Sequence, residues 1–290
     1  MLLGKYLLAP GDVFWNKKSG KKVLLSKKGE LLNINLIKKI EQNKEKIILE
    51  NHINFEIQKL FQGYFAEMRN ELQIKEKIAL REKILGRFSS FFLEEETEQL
   101  ELDLLSWILF SSFSYEESRD FINHDSEIFK RHLSVASTYT FCALMLGYYD
   151  SKFLTMLFTK TLRNLLSIGN ANEVLLTKDK LESFIQKDSF KGADLNLIKE
   201  FETKENLLFS GFFERYDGTG LSNTNIREMI DLEVVLIAIN RHLNFNRKAE
   251  SNFFKTLVND GFICDQKITT LIKRTLTERD KGIVQIIGLG

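Results

Sequence analysis

The sequence predicts a mainly helical protein that begins with a small α+β unit. The first observation is that 290 residues contain one proline, Pro10, so long helices can run without a break. The second is that beyond residue 52 the apolar residues recur at three- and four-residue steps, which is the spacing of helices with one buried face. The third is that short, turn-bounded apolar segments typical of strands occur only in the first fifty residues.

The N-terminal unit, residues 1–52, is predicted to contain a hairpin, a helix and a last strand. Gly11 and Asp12 indicate a turn, and a lysine-rich stretch at 17–22 separates two strand-like segments. Asn33 is a suitable N-cap for a short helix. The expected elements are strands at 13–15 and 23–26, a helix at 34–42 and a strand at 47–50. The lysines at 17–28 could contact an anionic partner, but a solvated hairpin turn is the explanation that we favour.

Residues 53–120 are predicted to form helices that link the N-terminal unit to the rest of the chain. Between residues 53 and 92 the large apolar side chains fall on one helical face. Residues 75–83 alternate in charge, which is typical of an exposed helix face or a bridging helix. The acidic run at 94–98 favours a helix start through the helix dipole, and residues 100–113 are expected to fill the core behind it.

Composition limits the classes of function that this protein can have. The chain has 41 Lys and Arg against 40 Asp and Glu, and a net charge of +1 predicts no strong attraction to nucleic acid, although a local basic patch is compatible with it. Cys142 and Cys264 lie in helical contexts and are expected to be reduced, buried thiols. No stretch approaches the roughly 20 apolar residues of a membrane helix, and the first residues do not resemble a signal peptide. We therefore expect a cytoplasmic protein without a membrane span.

The most distinctive stretch of the sequence is residues 212–222. Asp217 precedes two glycines that flank Thr219, and this is turn chemistry: aspartate caps its own backbone and glycine accepts positive φ. Helical patterns lie before the stretch and again at 226–243. The loop is therefore predicted to join two helices.

This loop resembles the signature of the HD-GYP family, metal-dependent phosphodiesterases of cyclic-di-GMP, whose typical string is His-His-Glu-Arg-x-Asp-Gly-Thr-Gly-Tyr-Pro. In this chain Phe212 and Phe213 stand in place of the two histidines, and Leu221-Ser222 stand in place of Tyr-Pro. The matching residues are Glu214, Arg215, Asp217, Gly218, Thr219 and Gly220. The N-terminal unit is similar to a small module often found ahead of such domains.

The resemblance implies a bacterial protein with an all-helical HD-type bundle at 121–290, after the helical segment 53–120 and the α+β module 1–52. A related class without metal, the HDOD-type regulatory domain, is an alternative. The resemblance also implies that the family's metal ligands are missing. Arg131 aligns with the first ligand histidine, Asn164 and Leu165 with the His-Asp pair, and Asn240 with a later aspartate.

His132 lies one residue from the ligand position, which is about 100° of helix rotation, so we expect it to point away from any metal, at the surface or half-buried. Two-metal phosphoester hydrolysis needs several imidazole or carboxylate ligands. An arginine has no lone pair to donate, and it adds positive charge. These replacements predict a pseudoenzyme that has no cofactor.

Three functions follow from the resemblance. The first is an inactive interaction or scaffold module in cyclic-di-GMP signalling that contacts a GGDEF domain or a second copy of itself through Glu214–Leu221; a purely structural turn would explain the same residues equally well. The second is a metal-free sensor that binds cyclic-di-GMP. The third is a residual phosphodiesterase, which requires metal. The candidate phosphate contacts of the sensor are Arg131, Lys160, Arg163, Arg215 and Arg241.

Overall fold

The computed structural model describes residues 6–71, 73–94, 97–121, 126–168 and 266–277, together with helical residues at 232, 234–236, 239 and 254. Helices make up 69% of this part of the chain, and a small three-stranded antiparallel sheet lies near the N-terminus. The mainly α class predicted from the sequence is therefore confirmed for the described residues.

The N-terminal unit is a three-stranded antiparallel sheet with one helix packed against it. The strands are β1 (Asp12–Asn16), β2 (Lys22–Ser26) and β3 (Ile47–Glu50), in the order β2-β1-β3. Helix α1 (Ile34–Gln42) begins after Asn33, whose side chain accepts a hydrogen bond from the backbone N–H of Asn35. All four predicted elements are confirmed to within one residue at each end. Their shared core is formed by Ala9, Val13, Leu32, Ile37 and Ile40.

The hairpin between β1 and β2 closes with Gly20 at a φ of +76°, a conformation that glycine adopts without steric cost. At the other end of the sheet Gly11 allows a close approach of two chain segments. A Cβ atom at this position would lie 2.8 Å from the carbonyl oxygen of Glu50 and from the Cα of His52. The turn predicted at Gly11 is therefore also a packing contact.

The helical body follows the sheet. Asn54 caps its first helix, because its side chain accepts hydrogen bonds from the backbone N–H groups of Glu56 and Ile57. A π-helical turn, Ser90–Glu94, follows the second helix. The helices are α2 (Phe55–Asn70), α3 (Ile74–Ser89), α4 (Gln99–Phe110), α5 (Tyr115–Phe121), α6 (Ser126–Met145), α7 (Ser151–Ile168) and, after a gap in the description, α8 (Gln266–Thr277).

Helix α6 is the central helix of the described body. Every residue from His132 to Leu146 is buried, and α6 packs against α4, α7 and α8. A helix enclosed on all sides belongs to the interior of a bundle rather than to its surface. Aromatic rings fill the space around it: the ring of Phe141 lies 4.7 Å from that of Phe88 and 5.7 Å from that of Phe110, measured between centroids.

Helix α8 closes this core from the far end of the sequence. The hydroxyl of Ser89, the last residue of α3, donates a hydrogen bond to the carbonyl oxygen of Leu276 in α8. The ring of Phe254 meets that of Phe88 edge to face at 5.0 Å. Both contacts join residues of the first third of the chain to residues of its last fifth.

The sheet meets the helical body through one of its two ends. Lys28 Nζ lies 3.1 Å from a carboxylate oxygen of Glu98, and the backbone N–H of Ile53 donates to the carbonyl of Pro10 at 2.8 Å. These contacts lie beside the start of β1 and the ends of β2 and β3. The opposite end of the sheet, which carries the hairpin turn, therefore points away from the helical body.

Candidate functional site

The residues that the sequence singles out lie partly inside and partly outside the described chain. Arg131 lies on α6, and Lys160, Arg163 and Leu165 lie on α7. Asn164 is also part of α7. The remaining candidates lie outside the described residues: Phe212, Phe213, Glu214, Arg215, Asp217, Gly218, Thr219, Gly220, Leu221, Asn240 and Arg241.

The expectation that His132 lies at the surface or is half-buried is wrong. Its side chain is only 3% exposed, whereas the neighbouring Arg131 is half-buried. A rotation of about 100° along a helix leads to solvent only where one face of that helix is exposed. From His132 onward α6 has no exposed face, so the rotation leads from one packed surface to another.

The described candidates on α7 are engaged in contacts within the protein. Arg163 is exposed, forms an ion pair with Glu117 of α5, and places its guanidinium carbon 5.8 Å from the centroid of the Phe113 ring. Leu165 is fully buried in the core, and Lys160 is half-buried. A phosphate that bound Arg163 would therefore have to compete with Glu117.

Glu117 is held in place by the start of α5. Its carboxylate accepts a hydrogen bond from the backbone N–H of Ser114 at 2.7 Å, and its own N–H donates to the Ser114 hydroxyl at 3.2 Å. This reciprocal pair is a capping box. The pKa of Glu117 is lowered most by the hydrogen bond from the Ser114 backbone. The hydrogen bond with the Ser114 side chain and the charge of Arg163 lower it further. The carboxylate is thus ionised and oriented toward Arg163.

A buried polar cluster between α4 and α6 is the least expected feature of the interior. We call it the Asp103 cluster: Asp103, Gln99, Ser134, Ser137 and Thr138. One carboxyl oxygen of Asp103 accepts from the Ser134 hydroxyl, and the other accepts from Gln99 Nε2 at 2.9 Å. Gln99 Nε2 also donates to the Thr138 hydroxyl at 3.2 Å. The cluster therefore joins the two helices by side-chain hydrogen bonds.

The carboxyl of Asp103 is a weaker acid than an ordinary aspartate. Burial raises its pKa from 3.8 to about 7, against the opposing effect of the hydrogen bonds from Ser134 and Gln99. The Ser137 hydroxyl is buried and has no hydrogen-bond partner in the described structure. Asp103 is only 4% exposed. A ligand could reach it only if α4 and α6 separated, so its geometry is that of a packing contact rather than an open reaction centre.

One sign of the Asp103 cluster is present in the sequence: Asp103 is one of two acids inside the apolar stretch 100–113. A second sign is that Ser134, Ser137 and Thr138 fall at three- and four-residue spacing and therefore on one face of α6. Neither sign identified the partner helix, since that depends on how α4 and α6 pack.

Arg81 is the exception to the exposed or bridging face predicted for residues 75–83. Lys75, Glu76, Glu82 and Lys83 are exposed as predicted, whereas Arg81 is 4% exposed. Its guanidinium donates to the carbonyl oxygens of Leu144 and Met145, each at 2.6 Å. The last carbonyls of a helix have no partner within the helix. A cation there also interacts favourably with the negative end of the helix dipole. Burial lowers the pKa of Arg81. The charged stretch therefore supplies the cap of the central helix.

The surface also carries an open groove of about 540 Å³ between the end of α2 and the start of α3. Its lining residues are Glu67, Asn70, Glu71, Glu76, Ala79, Leu80 and Lys83. Lys83 Nζ lies 4.7 Å from the centroid of the Tyr64 ring. None of the site residues expected from the sequence lines this groove.

In the described ranges, no group of three or more His, Cys, Asp and Glu side chains is placed to hold a metal ion. None of the helices in the same ranges combines the length and the apolar character of a membrane span. What the described residues define is a mainly helical protein with a small N-terminal antiparallel sheet. Comparison with protein families, with curated proteins and with solved structures finds no match for this chain.

Proposed function

We propose that this protein is a catalytically inactive HD-GYP-like module that acts by binding another protein, either a GGDEF domain or a second copy of itself. One observation carries the proposal: the loop string from Glu214 to Gly220 keeps six of the family's residues, while Phe212 and Phe213 replace the two histidines that precede them. A loop with its turn residues but without its ligands is suited to contact rather than to hydrolysis.

The chemistry of the replaced positions supports this reading. A two-metal site needs several lone-pair donors that converge on ions roughly 4 Å apart. Phenyl rings donate none, and an arginine at position 131 would oppose a cation by its charge. His132 is buried next to this position and brings a single imidazole. One imidazole cannot replace a set of ligands.

A second candidate function is a metal-free sensor of cyclic-di-GMP. It is favoured by the placement of three of its proposed contacts. Lys160 and Arg163 are three residues apart on α7 and thus neighbours on its surface, and Arg131 lies on α6, which packs against α7. Arginine matches the geometry of phosphate oxygens. The ion pair of Arg163 with Glu117 opposes this function.

Binding to purified GGDEF domains and self-association, measured by calorimetry and by sedimentation, test the first function. We expect Leu221→Asp combined with Arg215→Ala to abolish binding, and Lys152→Ala, an exposed change on α7, to leave it intact. Binding that survives the loop change would contradict the assignment of the loop as the contact surface.

Cyclic-di-GMP separates the remaining functions. Heat released on titration of the nucleotide into metal-free protein, and lost in Lys160→Ala, would support the sensor over the interaction module. Turnover of the nucleotide with stoichiometric iron or manganese in the purified protein would overturn the pseudoenzyme and establish the residual phosphodiesterase.

A further inference from the structure

The near-neutral net charge of this chain conceals a division of charge along its length. Residues 1–50 contain eleven lysines, no arginine and five acidic residues, a net charge of +6. Because the whole chain has a net charge of +1, the remaining 240 residues carry −5. The N-terminal sheet unit is therefore strongly basic, and the helical part is acidic.

The fold places much of this positive charge at one end of the sheet. Lys17, Lys18 and Lys21 are exposed in the hairpin turn between β1 and β2. The end of α1 and the 3-10 turn Lys44–Lys46 lie at the same end, because Ile47 at the start of β3 pairs with Trp15 near the end of β1. We call this surface the distal lysine end: Lys17, Lys18, Lys21, Lys39, Lys44 and Lys46.

The distal lysine end points away from the helical body. The contacts of the sheet with that body, Lys28 with Glu98 and Ile53 with Pro10, lie at the opposite end. Two carboxylates, Glu41 and Glu45, belong to the same part of the unit. A carboxylate oxygen of Glu45 lies 3.8 Å from Lys46 Nζ, and the side chains of Lys46 and Glu45 are 41% and 69% exposed. An excess of positive charge therefore projects outward.

A tryptophan lies among these lysines. Trp15 is half-buried, and the Nζ atoms of Lys39 and Lys46 lie 5.4 and 5.6 Å from the centroid of its ring. Tryptophan beside lysine is the combination that peripheral proteins present to the headgroup region of a membrane, since the ring is apolar and its N–H is polar.

The type of cationic side chain and its exposure indicate the partner. Lysine carries a compact, hydrated charge without the planar fork by which arginine grips a single phosphate. The three turn lysines are exposed, and the groove described above lies elsewhere, between α2 and α3. A protruding lysine surface of this kind fits a flat, extended anionic surface better than a discrete ligand. We propose that the distal lysine end binds the anionic surface of a lipid bilayer, independently of the function proposed above.

Sedimentation of the full chain with phospholipid vesicles tests the proposal. We expect binding to vesicles of phosphatidylcholine with about one-third phosphatidylglycerol and no binding to phosphatidylcholine alone, since each lysine near an anionic surface contributes about five-fold in affinity. The triple change Lys17→Gln, Lys18→Gln, Lys21→Gln should weaken binding about a hundredfold. Raising the salt from ~0.1 M to ~1 M shortens the Debye length from about 10 Å to about 3 Å and should release the protein.

The matched control removes three exposed lysines from the helical body, Lys59→Gln, Lys75→Gln and Lys152→Gln, and should leave binding within about two-fold. Acrylamide quenching gives a local readout: Trp107 is already shielded at 7% exposure, so a loss of quenching on vesicles reports Trp15. Equal weakening by both triple changes, binding to neutral vesicles, no binding at all, or tighter binding to a DNA oligonucleotide than to the anionic vesicles would each overturn the proposal.

Discussion

Replacement of Asp103 by asparagine should raise the free energy of unfolding above that of the parent protein at alkaline pH and leave it unchanged at acid pH. Burial raises the pKa of Asp103 from 3.8 to about 7, so the folded state keeps this proton over a range in which the unfolded chain has lost it. The stability of the parent therefore falls as the pH rises from about 4 to about 7 and is level above that range.

The size of the effect follows from the shift in pKa. A difference of about three pH units corresponds to about 4 kcal/mol in the free energy of unfolding. Asparagine cannot ionise and preserves the hydrogen bonds of the cluster: its oxygen accepts from Gln99, and its amide donates to the Ser134 hydroxyl. We therefore expect Asp103→Asn to exceed the parent by up to about 4 kcal/mol near pH 8 and to match it near pH 4.

Urea unfolding of both proteins, followed by circular dichroism at a series of pH values, measures this difference. Other titrating groups are common to the two proteins and cancel in the subtraction. Asp150→Asn is the matched control, because Asp150 is exposed and caps α7 through a hydrogen bond from the N–H of Phe153 that asparagine can also accept. If Asp103→Asn and its parent kept parallel stabilities from about pH 4 to about pH 8, a neutral buried carboxyl at this position would be refuted.

Three further changes test the packing. Arg81→Met removes the guanidinium donors from the carbonyls of Leu144 and Met145, of which Leu144 keeps a bond from the backbone N–H of Gly147, and should cost about 3 kcal/mol in urea unfolding, with partial recovery in Arg81→Lys; a neutral result would contradict the capping role. Asn54→Ala removes the cap of α2 and should cost about 1 kcal/mol, seen as a lower urea midpoint, and an unchanged midpoint would argue against that cap. Phe88→Ala empties the site between α3, α6 and α8 and should lower stability by about 4 kcal/mol, whereas a loss below about 1 kcal/mol would contradict its central position.

The N-terminal elements were predictable because their signals are local. Gly11 and Gly20 mark turns, Asn33 caps α1, and the strands are bounded by polar residues, so each element depends on neighbours a few residues away. The order of elements from β1 to α2 could therefore be derived before any contact was known.

The burial of individual polar residues could not be derived in the same way. His132, Arg81 and Asp103 are buried because a distant helix covers them, and sequence periodicity describes only the helix on which a residue lies. A charge-dense stretch that is fully exposed and one that a distant helix partly covers have the same sequence pattern. Only the tertiary contacts distinguish them. The loop from Glu214 to Leu221 lies outside the described residues, and its role as a contact surface stays a prediction.

The hydrogen bond from Ser89 to Leu276 has a consequence for the synthesis of this protein. During translation the aromatic surface around Phe88 is made early, but the helix that covers it is made much later, because Leu276 follows Ser89 by 187 residues. Until then this apolar surface is open to water and to other nascent chains. A stop codon or a tag that disturbs Gln266–Thr277 should therefore reduce the yield of native protein through aggregation, far from any binding surface.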